Sequence, residues 1–71
     1  MTDSVYAVIE LIGASSESWE KAAENAVREA SRRYKNLRVA EVVEMDVLIE
    51  DGAVIAFRTK LQLSYKREMT E

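Results

Sequence analysis

The sequence has no cysteine, no histidine and no proline, and only two glycines in 71 residues. Each absence excludes something. Without cysteine there is no disulfide framework, and thiol usage says nothing about redox compartment. With neither Cys nor His, a structural zinc site loses its usual ligands. Acid–base or nucleophilic chemistry would fall to Glu, Lys, Ser or Tyr, and no nucleophile-elbow, phosphate-loop or EF-hand spacing occurs. The residues therefore point away from an enzyme. No apolar run approaches the roughly 20 residues that cross a bilayer. The opening MTDSVYAVIELIG lacks the basic region of a secretory signal. A cytoplasmic protein without a membrane partner is expected.

Aromatics are also scarce, at 7%, and the net charge is −3 with both signs interspersed. Single-strand binders pair a positive groove with stacking aromatics, so no nucleic-acid partner is expected. The nearest basic group, Arg28, Arg32, Arg33 and Lys35, falls in the last half of a predicted helix. There it favours the negative end of the helix dipole.

What is present belongs to a folded protein: 48% hydrophobic and 32% charged residues. The length allows one domain, residues 1–71. A core of this size is marginal and usually needs a staple. With disulfide and zinc excluded, oligomerisation is what remains.

Ser4–Ile12 is β-branched and apolar and predicts a first strand, largely apolar on both faces. GASSES (13–18) reads as a loop in which Ser15 or Ser16 caps a helix. From Trp19 the apolar residues recur as Ala22, Ala23, Ala26, Val27, Ala30, Tyr34 and Leu37, one stripe of a helix over about Ser16–Lys35. Glu17–Lys21, Glu24–Arg28 and Glu29–Arg33 would pair at i, i+4 on its other side.

Asn36–Gly52 then reads as a long strand entering a turn. With regular pairing, Val39, Glu41, Val43, Met45, Val47 and Ile49 share one face. Arg38, Ala40, Val42, Glu44, Asp46, Leu48 and Glu50 share the other. Asp51–Gly52 signals a type I′ hairpin, since both residues tolerate positive φ. The return strand alternates Ile55, Phe57, Thr59, Leu61, Leu63 and Tyr65 against Val54, Ala56, Arg58, Lys60, Gln62 and Ser64. The order is β-α-β-β, an α+β class. Thirteen strand residues span about 43 Å, whereas a twenty-residue helix spans about 30 Å. The hairpin outruns its helix, and the excess apolar strand would be an aggregation site if nothing covered it.

Several stretches in order carry a family resemblance: Tyr6–Gly13, then Ser15-Ser16-Glu17-Ser18-Trp19-Glu20, the Ala-rich helix, Arg38-Val39-Ala40-Glu41-Val42-Val43, and Arg58-Thr59-Lys60-Leu61-Gln62-Leu63-Ser64-Tyr65. Over nearly its whole length the chain resembles the dodecins. The resemblance implies a three-stranded antiparallel sheet half-wrapping one helix, assembled as a hollow homododecamer in which neighbours cover the hairpin. It implies storage or buffering of a small-molecule ligand, flavin in the better-known members (FMN or riboflavin), rather than catalysis. In those members paired flavins lie between symmetry-related tryptophans, and a glutamine on the last strand binds the ring. The matching positions here are Val39 and Arg58. Valine has no π-face, and arginine cannot supply glutamine's paired donor and acceptor, so the flavin site is impaired.

The S-W-E and R-V-A-E-V segments look like a second branch that includes members described as calcium dodecins. Glu17 and Glu44 match positions that bind divalent cations in some members, and carboxylate oxygens suit Ca2+.

Each of these residues also has a plainer role. Trp19 begins the buried stripe and belongs to the core or an interface. Glu17 serves the helix N-terminus, and Glu44 and Asp46 belong to a solvated strand face. Glu41 is a carboxylate on an otherwise apolar face and needs a partner. Arg58, Lys60 or a neighbouring subunit could supply it.

Overall fold

The computed structural model describes residues 3–67. The elements are β1 (Val5–Ser15), α1 (Trp19–Ser31), β2 (Leu37–Glu50) and β3 (Ala53–Arg67). They form a three-stranded sheet of order β1-β3-β2, antiparallel at both pairings. The β-α-β-β order is as predicted. The last strand is the central one, so β1 and β2 are both edges.

The hairpin forms at Asp51 and Gly52, with φ of 53° and 78°, the positive values the turn requires. β1 runs three residues past its expected end, because Gly13, Ala14 and Ser15 pair with Thr59, Arg58 and Phe57. The helix is much shorter than the apolar stripe implied. Ser18 is the N-cap, accepting from Lys21 N at 2.9 Å. The Ser15 hydroxyl accepts instead from Glu17 N at 2.9 Å, so neither Ser15 nor Ser16 caps the helix. At the other end Arg33 N and Tyr34 N both donate to Ala30 O. Asn36 takes φ 66° and turns the chain back. Tyr34 and Leu37 therefore lie outside the helix: Tyr34 stacks on Tyr65 at 4.9 Å, and Leu37 opens β2.

Because Glu17 and Arg33 fall outside α1, two of the three predicted helical ion pairs lose their frame. The helical pairs among the described residues are Lys21–Glu24 at 3.9 Å and Arg32–Glu29 at 3.1 Å, while Arg28 donates to Asn25 Oδ1.

Ala26 and Ala30 are buried against Leu61 and Leu63 of β3, with Ile9 and Leu11 of β1 beside them, and Ala22 is buried a turn earlier, its carbonyl next to Gly13. An alanine face lets the helix lie close, and Gly13 completes the fit. A Cβ there would sit far inside van der Waals contact of the Ala22 carbonyl oxygen and 3.1 Å from Ala26 Cβ.

The helix lies over β1 and β3 and leaves β2 almost bare. At about 1.5 Å per residue α1 is roughly 20 Å long, beneath a body 56 Å long. Val42 and Met45 stay half exposed or more, and Val39 is 58% exposed. Between α1 and β2 runs an open groove of about 420 Å3 lined by Ala23, Val27, Ala40, Val42 and Leu61, with Glu24 and Arg28 at its rim. On β1, Val5, Tyr6, Val8 and Ile12 are exposed as well. The uncovered apolar strand anticipated from the sequence is thus present in the single chain, and larger because the helix is shorter.

Register is where regular alternation fails. Counting from the turn would set Asp46 opposite Phe57 and Glu44 opposite Thr59, both on the helix side. Instead Ile55 is an extra residue on β3, between the Leu48–Ala56 and Ile49–Val54 pairs. Val43 is an extra residue on β2, between Val42–Leu61 and Glu44–Lys60. Opposed residues share a face, so the helix-side set on β2 is Leu37, Ala40, Val42, Met45 and Val47. Val39, Glu41, Glu44 and Asp46 face outward. This corrects the single-face grouping of Val39 and Glu41 with Met45 and Val47.

Replacing Gly13 by alanine is expected to destabilise the fold by about 2–3 kcal/mol, at the upper end of overpacking costs, because the obstruction is backbone rather than a mobile side chain. Urea unfolding followed by far-UV circular dichroism measures it. A change below 0.5 kcal/mol would contradict the close approach of α1 to β1.

Candidate functional site

The outward face of the sheet carries the polar residues in transverse rows. Ala14, Arg58 and Asp46 form one row, Ile12, Lys60 and Glu44 the next, and Glu10, Gln62 and Glu41 the third. Val8, Ser64 and Val39 follow.

Arg58 meets Asp46 through both oxygens, Nε to Oδ1 and Nη2 to Oδ2, each at 2.7 Å. This is the bidentate geometry in which a planar guanidinium matches a carboxylate. The hydrogen bonds from Arg58 hold the Asp46 carboxyl below its ordinary value of 3.8. The same hydrogen bonds to Asp46 raise the Arg58 guanidinium above its ordinary value. Lys60 lies 3.6 Å from Glu44. Gln62 donates to Glu10 Oε2 at 3.4 Å and is opposite Glu41 in the ladder. Glu41 therefore meets neither Arg58 nor Lys60 within the chain. It needs no buried partner, since it is exposed on the outward face opposite Gln62, while the slip at Val43 moves Met45 and Val47 to the other face.

Behind this face, Trp19 joins the start of α1 to β2. Its indole N–H donates to Asp46 O at 3.0 Å, and its own carbonyl accepts from Thr59 Oγ1 at 2.9 Å. The ring meets Phe57 edge-on at a centroid distance of 4.9 Å. Trp19 is 38% exposed, so it is a tether at the edge of the core rather than its buried start.

Val39 and Arg58 are not neighbours. Val39 is opposite Ser64, six residues along β3 from Arg58, which is about 20 Å. Any ligand touching both positions must draw them from different copies. Glu17 is in the exposed loop two residues before Trp19, and Glu44 is two residues before Asp46 on β2. The Trp19–Asp46 bond puts both at the same end of the fold. Among the described residues no three acidic side chains converge as a metal site within one chain. Carboxylate oxygens suit Ca2+, but six to eight ligands are needed, so these two residues supply part of a shell at most.

Two residues of this face escaped the sequence reading as partners: Asp46 for Arg58, and Lys60 for Glu44. The signal available was Glu41, a charge that regular alternation placed among valines. It marked a register slip.

Comparison with known proteins follows from this geometry. Residues 5–68 match the family model described as Dodecin. The calcium dodecin of Mycobacterium tuberculosis is 44% identical over 63 residues, 89% of each chain. Its crystal structure, described as that of a calcium-chelating immunodominant antigen with a novel calcium-binding site, superposes with a TM-score of 0.80 at 40% identity, over 94% of this chain and 96% of that one. The dodecin of Streptomyces coelicolor superposes with a TM-score of 0.91 at 33% identity, over 99% and 100%.

The Arg58–Asp46 pair gives the outer face an acid limit. A folded-state pKa held low stabilises above the ordinary carboxylate value and is lost as pH falls through the lowered one. Both side chains are more than a third exposed (38% and 48%), so screening keeps the effect small. Melting temperature measured from pH 6 down to pH 2 is expected to fall less steeply below about pH 4 for Asp46→Asn than for the wild type. Parallel curves would show that the pair is not maintained in solution.

Proposed function

The chain belongs to the dodecin family, and on that premise we propose that it is a non-catalytic, ligand-binding subunit of a homododecameric shell whose ligand is a divalent cation, calcium, rather than a flavin. The shell is taken to be cytoplasmic. No helix among the described residues is long and apolar enough to cross a membrane.

One observation carries the choice of ligand. Where an aromatic sandwich would need a π-face and a free amide, this outer face offers the aliphatic Val39 and an arginine already held by Asp46. An aromatic pair contributes about 0.5–1.5 kcal/mol beyond area burial, and that term is missing. The same face presents Glu44 beside a loosely held Lys60, with Glu17 at the same end of the fold. A relative named calcium dodecin covering 89% of the chain supports this reading.

The assembly is supported by the uncovered strand. Val5, Tyr6, Val8, Ile12, Val39, Val42, Met45 and Ile49 are half exposed or more, a surface that a small soluble monomer rarely leaves open. Copies packed on it would bring carboxylates of several chains together and complete a coordination shell that one chain leaves partial.

Native mass spectrometry tests the shell and its content together. A twelvefold mass without a flavin-sized increment is expected. A monomer overturns the assembly, and a flavin-sized increment overturns the reading of Val39 and Arg58. Calcium at a hundredfold excess over its Kd is expected to add about 2.7 kcal/mol of stability by linkage, read as a rise in melting temperature. Glu17→Gln and Glu44→Gln should each diminish that rise, and an undiminished rise in both would remove these residues from the site.

A further inference from the structure

Two neighbouring carboxylates that β2 turns outward beside β3 are held very differently. Both side-chain oxygens of Asp46 accept from Arg58 at 2.7 Å, and its backbone carbonyl accepts from the Trp19 indole at 3.0 Å. The Glu44 carboxylate has Lys60 Nζ at 3.6 Å, beyond the roughly 2.7–2.9 Å of a charge-assisted hydrogen bond. The Glu44 side chain is 66% exposed and that of Lys60 31%. Asp46 is thus committed to a fixed partner, whereas Glu44 is free to turn toward another cation.

Lys60 cannot withdraw as easily. It lies on the central strand, between Ile12 of β1 and Glu44 of β2, and its side chain is the more covered of the pair. The row on one side sets Gln62 between Glu10 and Glu41, and Gln62 already donates to Glu10. In the row on the other side Asp46 is taken by the Arg58 fork. The field of Lys60 reaches that carboxyl too: after the hydrogen bonds and charge of Arg58, the charge of Lys60 also lowers Asp46. Arg58, Lys60, Glu44 and Asp46 therefore balance over two adjacent rows, in a chain whose net charge is −3.

An exposed pair at this distance contributes little to the stability of a fold, so structure alone gives the pairing little to do. Its effect on a cation arriving at Glu44 is more direct. Calcium sites are tuned by how many ligand charges face the ion, and a fixed ammonium beside one ligand cancels one of them. A divalent cation taking the Glu44 oxygens must displace Lys60 or bind with a like charge close by.

We propose that Lys60 is an internal counter-ion that competes with calcium for Glu44 and sets the affinity of the site below what its carboxylates alone would give. The inference rests on the reading of Glu44 as a calcium ligand, and it assigns to Lys60 the tuning of that ligand. The bidentate Arg58–Asp46 pair, by contrast, keeps its carboxylate out of the site.

The test is calorimetric titration of calcium chloride into the full-length assembled protein at fixed ionic strength. Lys60→Gln is expected to tighten calcium binding about two- to fivefold, the scale of an exposed ion pair, with little change in the calcium-free melting temperature. Lys60→Arg, which keeps the charge, should bind no more tightly than the wild type. Arg32→Gln, which removes the same charge from a helical pair with Glu29, should leave the affinity unchanged. In a Glu44→Gln background Lys60→Gln should bring no gain, since the cycle isolates the coupling of the two side chains.

An affinity unchanged or weakened by Lys60→Gln, where Glu44→Gln still weakens binding, overturns the role of Lys60 and leaves Glu44 as a ligand. A gain that survives in the Glu44→Gln background overturns it as well, because the charge then acts on the whole surface rather than on one ligand. A Lys60→Gln protein whose native mass departs from that of the wild type would assign Lys60 to an interface between copies, and would overturn it equally. Absence of saturable calcium binding in both the wild type and Lys60→Gln removes the calcium reading and this inference together.

Discussion

Because side chains alternate along a strand, the extra Ile55 and Val43 decide what each face of the sheet displays. Between them the register is displaced by one, and the block Glu44–Leu48 is turned over relative to regular pairing. That displacement takes Glu44 and Asp46 away from the helix and brings them opposite Lys60 and Arg58. It also brings Met45 and Val47 onto the side that carries Thr59 and Phe57. Without it two carboxylates would turn to the apolar side of the sheet, opposite Thr59 and Phe57, and away from Lys60 and Arg58. The polar outer face, the ion pair at Arg58 and the tether from Trp19 to the Asp46 carbonyl all depend on it.

The second determinant is closeness. Gly13 and the alanines of α1 allow the helix to sit against β1 and β3, and a helix that close to two strands cannot also reach the third. The bareness of β2 is therefore not a packing failure. It follows from a small-residue face that specifies a narrow contact, and it leaves Val42 and Met45 of β2 exposed in the single chain.

Much of this was legible from residue types alone. Asp51–Gly52 specified its turn through the φ values it tolerates, and the alanine stripe specified which helix face is buried. Helix length was not legible: Tyr34 and Leu37 fit the helical period, but Tyr34 meets Tyr65 from the segment after α1 and Leu37 is already paired in β2. Register was not legible because an extra residue has no composition of its own, and only Glu41, stranded among valines, betrayed it. For the candidate site, the identities at positions 39 and 58 could be read directly. Their separation along β3, and the capture of Arg58 by Asp46, depend on pairing that no local pattern encodes.

The central position of β3 has a further consequence, for the order of events in synthesis. β1 and β2 do not pair with each other; each pairs with β3, and Val5 finds its partner at Arg67. The β2–β3 hairpin can begin to pair from its turn, but β1 has no partner until the later residues of β3 have been made. Until then β1 and the alanine helix have no sheet to pack on, and the β1–β3 pairing, which spans nearly the whole chain, closes a long loop at an entropic cost. The polypeptide is thus most vulnerable to wrong associations before β3 has been made. The charges on Glu41, Glu44 and Asp46 guard β2 during that interval, before they have any partner to meet.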